Sequence, residues 1–167
     1  MYKPGDVFIT RNSGGKEANP TPGYYNHAAI LGINDWVVEA QESFDQIIAV
    51  PLKYFLKRYP EIVTLRPNDN DVALKTAEYS LNMIGRKYDK VESIRPLWLW
   101  RTDDNCISLV RRIYYKITGR DYMWLAPDQL YLSPSFKIIN IYKSGNFVAP
   151  DDLYQGAILT KPGEKNG

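Results

Sequence analysis

The sequence contains few of the residues that usually bind metals or crosslink a small domain. Its 167 residues include one cysteine and one histidine. A single cysteine cannot form an internal disulfide, and one cysteine with one histidine does not make a zinc-binding cluster. No Gly-rich phosphate-binding motif precedes a helix, and the Ser-Gly-Gly stretch at 13–15 is too short to count as one. We therefore expect neither a metal nor a cofactor, and a fold held by its own hydrophobic core.

Concentrated charge and long hydrophobic runs are also missing. The 21 basic and 19 acidic residues are spread along the chain and leave a net charge of +2, which does not predict a nucleic-acid partner. No apolar run approaches the roughly 18 to 20 residues that cross a membrane. The first residues, MYKPGDVFIT, lack the basic and apolar blocks of a signal peptide. The chain as given is expected to be soluble and, by default, cytoplasmic, while its oligomeric state stays open.

The sequence does contain enough apolar residues for one substantial core. Hydrophobic residues make up 44% of the chain, which predicts a single domain over residues 1–150 followed by a loosely ordered polar tail at 151–167. Residues 11–26 are rich in Gly, Pro and Asn and form a predicted loop, which is either a lid over a site or a surface loop.

Strand and helix patterns occur together along the chain. Runs rich in β-formers and bounded by turn residues predict strands at 6–10, 27–31, 36–40, 47–50, 61–66 and 136–142. Pro51 suits the first turn of a helix that continues through LKYFLKRY. Apolar residues at spacings of three and four predict helices over 71–84 and 104–118, and a glycine follows each one as a C-cap. The mixture predicts an α+β fold.

The lone histidine lies in a predicted hairpin, NHAAILGINDWVVEAQ, residues 26–41. If the hairpin is symmetric about Ile33, His27 falls directly opposite Glu39 and on the same face. A carboxylate in that position would fix the tautomer of the imidazole and stabilise its charged form, which is the third role in a catalytic triad. The alternative is a structural histidine with a glutamate that merely pairs with it at the surface.

The lone cysteine, Cys106, falls in the first turn of the predicted helix at 104–118. There the backbone N–H groups and the positive end of the helix dipole favour a thiolate and can stabilise an oxyanion beside the sulfur. Asp103 and Asp104 oppose the thiolate, so a histidine partner must supply much of the activation. A small buried hydrophobe is the alternative role for this residue. Together with His27 and Glu39, it would complete a Cys-His-acid set.

The order of these motifs resembles a known family. GDVFI, NHAAI, VVEAQ, GRKYD, NCISLV, PDQL and SPSF follow one another, and over roughly residues 4–139 the chain resembles the permuted papain-like amidases of the YiiX and YaeF type, within the NlpC cell-wall peptidase superfamily. The resemblance implies a circularly permuted papain-like (NlpC-like) fold, with an antiparallel sheet or half-barrel packed against helices. It also implies that Cys106 is the nucleophile, His27 the general base and then acid, and Glu39 the orienting acid.

Further residues are candidates to line the site. Tyr88, in the GRKYD segment, either lines the site and helps the oxyanion or packs in a turn. The segment RPLWLWR, 95–101, and the tyrosines before His27 either wall an apolar groove or pack between helix and sheet. The candidate oxyanion or substrate-lining residues are Tyr88, Tyr25, Asn105, Trp98 and Trp100.

The Cys-His-acid set predicts a cysteine hydrolase that acts through a thioester intermediate, and the family resemblance implies that it cleaves the amide of a peptide or amino acid, with cell-wall peptides among the candidates. A lipid acyltransferase or thioesterase would use the same residues on a lipid-like acyl substrate. A catalytically inactive papain-like scaffold that binds a partner would keep the fold with Cys106 merely buried. Reactivity of the thiol distinguishes the enzymes from the scaffold.

Overall fold

Six antiparallel strands form the centre of the molecule. The computed structural model describes residues 1–11, 24–88 and 106–143. In it the strands form one sheet in the order β4-β3-β2-β1-β5-β6, and every neighbouring pair is antiparallel. The sequence predicts each strand to within one residue. Their bounds are β1 Val7–Arg11, β2 His27–Leu31, β3 Trp36–Gln41, β4 Gln46–Pro51, β5 Glu61–Pro67 and β6 Phe136–Lys143.

Four α-helices accompany the sheet in the described part of the chain, so the predicted α+β class is confirmed. They are α1 Leu52–Arg58, α2 Asn70–Ser80, α3 Cys106–Thr118 and α4 Pro127–Tyr131. The short α4 is not predicted from the sequence. None of the helices in the described residues has the length and apolar character needed to span a membrane. The predicted tail at 151–167 lies outside the described residues.

Helices pack on both faces of the sheet, and the edge strand β6 is exposed after its first residue. On one face, Ala28 and its alternating neighbours pack with Val110 of α3 in one apolar cluster. On the other face, Ala29 packs with Phe55 of α1 in a second cluster. Because side chains alternate along a strand, His27 at the start of β2 belongs with Ala29 to the α1 face.

The helix α2 is shorter than the sequence predicts. Asp69 caps its start by accepting hydrogen bonds from the backbone N–H groups of Asp71 and Val72. The predicted helix runs to residue 84, but α2 ends at Ser80 and a 3-10 turn, Leu81–Met83, follows. The Ser80 hydroxyl donates a 2.8 Å hydrogen bond to the carbonyl oxygen of Ala77, which competes with the helical hydrogen-bonding pattern at this end.

The Gly-Asp pair before β1 connects the sheet to α2. Gly5 has a positive φ of 87°, and a Cβ at this position would overlap the backbone of Ala73 in α2. The next residue, Asp6, is buried and receives two 2.8 Å hydrogen bonds from the guanidinium of Arg66 on β5. Both residues of the pair therefore hold the fold together.

The hairpin between β2 and β3 has a different register from the predicted one. Ala29, rather than His27, is the Cα partner of Glu39. The physical reason is a longer turn: Asn34 and Asp35 both adopt positive φ, 56° and 58°, within a 3-10 segment that lengthens the loop. Because the shift is two residues, His27 and Glu39 stay on the same face and become diagonal neighbours.

Candidate active site

A buried carboxylate, Glu39, connects the predicted site residues. Its Oε2 lies 2.7 Å from Nε2 of His27 and accepts a 3.0 Å hydrogen bond from Nε2 of Gln41. Its other oxygen, Oε1, accepts a 2.9 Å hydrogen bond from Nη1 of Arg58. The contact that the hairpin predicts between His27 and Glu39 is therefore present, as a diagonal rather than a direct pair.

The electrostatics of the site follow from this arrangement. Burial, the largest single effect, opposes the charged form of Glu39, but the adjacent Arg58 cation, the charge and hydrogen bond of His27, and the hydrogen bond from Gln41 together outweigh it. The pKa of the Glu39 carboxyl therefore lies below its usual value. Glu39 and Arg58 are both almost fully buried, with side-chain exposures of 0% and 2%. Removing either partner would leave an uncompensated charge in the interior, which is strongly destabilising.

His27 is held on three sides. Glu39 holds Nε2, and the ring of Tyr59 stacks on the imidazole with centroids 5.6 Å apart and an interplanar angle of 25°. The third contact is a hydrogen bond with the side chain of Cys106. Burial lowers the pKa of His27, but the hydrogen bonds with Cys106 and Glu39 and their charges outweigh it and raise the pKa to about 9. The imidazolium is therefore the favoured form at neutral pH.

Cys106 contacts the histidine from the first turn of α3. It opens α3, which packs on the face opposite to α1, while His27 is the first residue of β2. The Cys106 thiol also lies 4.0 Å from the backbone carbonyl oxygen of Asn26, the residue before His27. Since Glu39 engages Nε2, the ring nitrogen left to exchange a proton with the thiol is Nδ1. The arrangement can move a proton between a sulfur and an imidazole that a carboxylate orients.

Tyr25, a predicted lining residue, is mostly buried and anchors the chain just before β2. Its hydroxyl donates a 3.0 Å hydrogen bond to Glu61, and Tyr24 donates to the same carboxylate at 3.1 Å. The backbone N–H groups of both tyrosines donate 2.7 Å hydrogen bonds to Asp128 of α4. These contacts fix the chain immediately before His27.

The remaining predicted lining residues divide into two groups. Tyr88 is half-buried, packs against the apolar cluster under α3, and its backbone N–H donates a 3.0 Å hydrogen bond to the carbonyl of Asp45. Asn105, Trp98 and Trp100 lie outside the described residues, as does most of the predicted loop at 11–26. Their roles in the site stay predictions.

Sequence reasoning missed three residues that contact Glu39. Gln41 lies two residues further along β3 and so shares the face of Glu39, a signal that the strand pattern could have provided. Arg58 and Tyr59 come from the end of α1, and Arg58 also lies over the Tyr59 ring, 4.7 Å from its centroid. A Lys-Arg pair in the last turn of a helix usually indicates exposed charge, so the sequence carries no sign that Arg58 is buried.

Comparisons with known proteins find a match of structure but none of sequence. No family model matches the sequence, and no curated protein matches it. The solved structure of metalloprotein YiiX from Escherichia coli O157:H7 superposes with a TM-score of 0.67, covering 85% of this chain and 98% of that chain at 15% sequence identity. At this identity the likeness is one of fold alone. The chain has a YiiX-like fold, as the resemblance of its motifs predicts.

Proposed function

We propose that this protein is a cysteine hydrolase that cleaves an amide through Cys106, His27 and Glu39. The observation that carries the proposal is the position of His27, which contacts the buried Glu39 carboxylate at 2.7 Å and the Cys106 side chain at once. The proposed catalytic unit spans residues 1–150. Its chain order, with the histidine and acid strands before the cysteine helix, supports a permuted papain-like fold related to the NlpC superfamily.

The proposed reaction is acyl transfer through a thioester. The Cys106 sulfur attacks the amide carbonyl carbon, and His27 gives its proton to the leaving amine as the carbon–nitrogen bond breaks. The neutral His27 then takes a proton from water, whose oxygen attacks the thioester. The acid and the Cys106 thiolate are released, and His27 keeps the proton, which restores the thiolate–imidazolium pair. Throughout, the Glu39 carboxylate holds Nε2 of His27 and keeps the ring aimed at the sulfur.

The first turn of α3 supports this role for Cys106. The cysteine is the first residue of a 13-residue helix, where the positive end of the helix dipole favours negative charge on the sulfur and on an oxyanion formed beside it. The described residues contain no acidic side chain in this first turn. Asp103 and Asp104, which are expected from the sequence to oppose the thiolate, lie outside the described residues.

The E. coli protein is named a metalloprotein, but a metal site does not fit the described residues of this chain. They contain no group of three or more His, Cys, Asp or Glu side chains placed to hold a metal ion. The carboxylate nearest to His27 already binds the Arg58 cation at 2.9 Å, and that cation would repel a metal at the same oxygen. The proposed mechanism therefore uses no metal.

Intact-mass spectrometry tests the proposal, because the chain has one cysteine to acylate. The protein is incubated with a panel of activated peptide and amino-acid amides and, separately, acyl-lipid esters. We expect a hydroxylamine-sensitive adduct with amides in the wild type and none in Cys106→Ala. Adducts with lipid esters alone would instead support an acyltransferase or thioesterase. No adduct with any member, together with an unreactive thiol, would support the binding scaffold.

A further inference from the structure

The two oxygens of Glu39 face different partners. Oε2 receives His27 and Gln41, whereas Oε1 receives Arg58 at 2.9 Å. The Arg58 side chain is buried with the carboxylate, and its guanidinium carbon lies 4.7 Å from the centroid of Tyr59, the ring that stacks on His27. Arg58 thus contacts both Glu39 and Tyr59, the two residues that support the imidazole of His27.

In the thiolate–imidazolium form, this buried cluster contains two negative and two positive groups. In a thiolate–imidazolium site, Cys106 contributes one negative charge and His27 one positive charge. Glu39 alone would add a second negative charge, and the imidazolium would then be shared between two anions at close range. Arg58 supplies the second positive charge, so the carboxylate and guanidinium together are neutral. The imidazolium charge is then available to the thiolate.

We propose that Arg58 is a positioning residue, and that the third member of the site is the neutral Glu39–Arg58 ion pair rather than Glu39 alone. The pair orients Nε2 of His27 without adding net charge beside it. This inference rests on the proposed thiol function. It also gives a reason for burying an arginine at the end of α1, beside an exposed Lys57.

Charged or titratable groups reach the cluster from several elements. His27 comes from β2, Glu39 from β3, Arg58 and Tyr59 from the end of α1, and Cys106 from α3. The Tyr59 hydroxyl lies 3.5 Å from Oε2 of Glu39, and Gln41 adds a neutral donor to the same oxygen. Removing the positive charge of Arg58 favours the protonated form of every group that remains, and removing the negative charge of Glu39 does the opposite.

The single histidine allows a direct test by NMR. The imidazole signals of His27 need no assignment variant, because the chain has no other histidine. Titrations compare the wild type with Arg58→Met, Arg58→Lys, Glu39→Gln and the double variant Glu39→Gln/Arg58→Met. An opposite charge within about 4 to 6 Å shifts a titration by about 1 to 3 pH units, and Glu39 lies within that range of His27. We expect a midpoint at least about one unit higher in Arg58→Met and at least about one unit lower in Glu39→Gln.

The double variant and the lysine variant complete the design. Removing both charges leaves no uncompensated ion, so the double variant is expected to fold even where a single variant does not. Its midpoint should lie between those of the two single variants, because it loses the carboxylate beside His27 as well as the cation behind it, and Arg58→Lys should keep the wild-type midpoint because it keeps the charge. A purely structural arginine would change stability in these variants without moving the midpoints in opposite directions.

The outcomes separate this inference from the proposed function. A wild-type midpoint near the ordinary value of about 6.5 that does not change in Cys106→Ala contradicts the thiol–imidazole pair itself. A raised wild-type midpoint that falls in Cys106→Ala supports that pair. If the midpoint is then the same in folded Arg58→Met as in the wild type, or if the midpoint of the double variant does not lie between those of the two single variants, the neutral-pair inference is wrong.

Discussion

Raising the pH should lower the free energy of unfolding, because the folded protein stabilises the protonated form of His27. The contacts of His27 raise its pKa from 6.5 to about 9 in the folded protein. The protonated histidine therefore stabilises the fold fully below about pH 6.5, and this contribution is lost as the pH rises through about 9. At 1.36 kcal/mol per pKa unit, the loss amounts to about 3 kcal/mol. The side chain is 13% exposed, so solvent screens little of it.

Urea unfolding measures this loss when the wild type is compared with His27→Gln. Lysines and tyrosines titrate in both proteins and cancel in the difference between the unfolding free energies, which leaves His27 together with the Cys106 thiol that it contacts. We expect the wild type to lose about 3 kcal/mol relative to the variant between about pH 6 and pH 10. Because Cys106 contributes to the raised pKa, the same comparison in a Cys106→Ala background should give a smaller difference. Parallel stability curves for wild type and His27→Gln would refute the reasoning.

Three further predictions concern other positions. Cys106→Ala should abolish turnover while circular dichroism shows an unchanged fold, whereas Ser108→Ala, a buried neighbour on the same helix, should keep turnover within a few fold; turnover in Cys106→Ala contradicts the assignment of the nucleophile. Gly5→Ala should lower the free energy of unfolding by more than about 3 kcal/mol or prevent folding, because the added Cβ would overlap the backbone of Ala73. The control Gly119→Ala has a positive φ but nothing within 4 Å of the added Cβ, and should cost about 1 to 2 kcal/mol. Equal losses of stability in thermal denaturation would be inconsistent with the close approach of α2. Tyr25→Phe should lower the free energy of unfolding by about 1.5 to 3 kcal/mol, because it removes a buried hydrogen bond to the Glu61 carboxylate. Tyr24 is 48% exposed and bonds to the same carboxylate, so Tyr24→Phe should cost less than about 1 kcal/mol. A larger loss in Tyr24→Phe than in Tyr25→Phe would contradict this order.

The elements of the fold were predictable because their signals are local. Each strand is a short run of β-formers between turn residues, and α3 combines an apolar stripe with a terminal glycine. The end of α2 was not predicted, because the apolar spacing continues to residue 84 while the helix gives way to a 3-10 turn after Ser80, whose hydroxyl bonds to the Ala77 carbonyl. Sequence patterns specify the type of an element better than its last residue.

The site was predictable only in part. A histidine and a glutamate on facing strands of one hairpin can meet under more than one register, which is why their contact is present although the predicted loop is too short. Arg58 was out of reach, because its burial depends on how α1 packs on the sheet and on a carboxylate 19 positions earlier in the chain. The neighbouring Lys57 is exposed, and nothing local separates the two.

The most direct test of the central claim is the pH dependence of Cys106 alkylation by a small uncharged reagent, in the wild type and in His27→Ala. The chain has no second thiol, so the rate reports on Cys106 alone. The reference pKa of a free thiol is about 8.5. We predict that the alkylation rate of the wild type stays high well below this pH, and that the rate of His27→Ala is low in the same pH range. A slow rate, or the same rate in both proteins, would contradict a thiol activated by His27 and leave Cys106 as a buried residue of a binding protein.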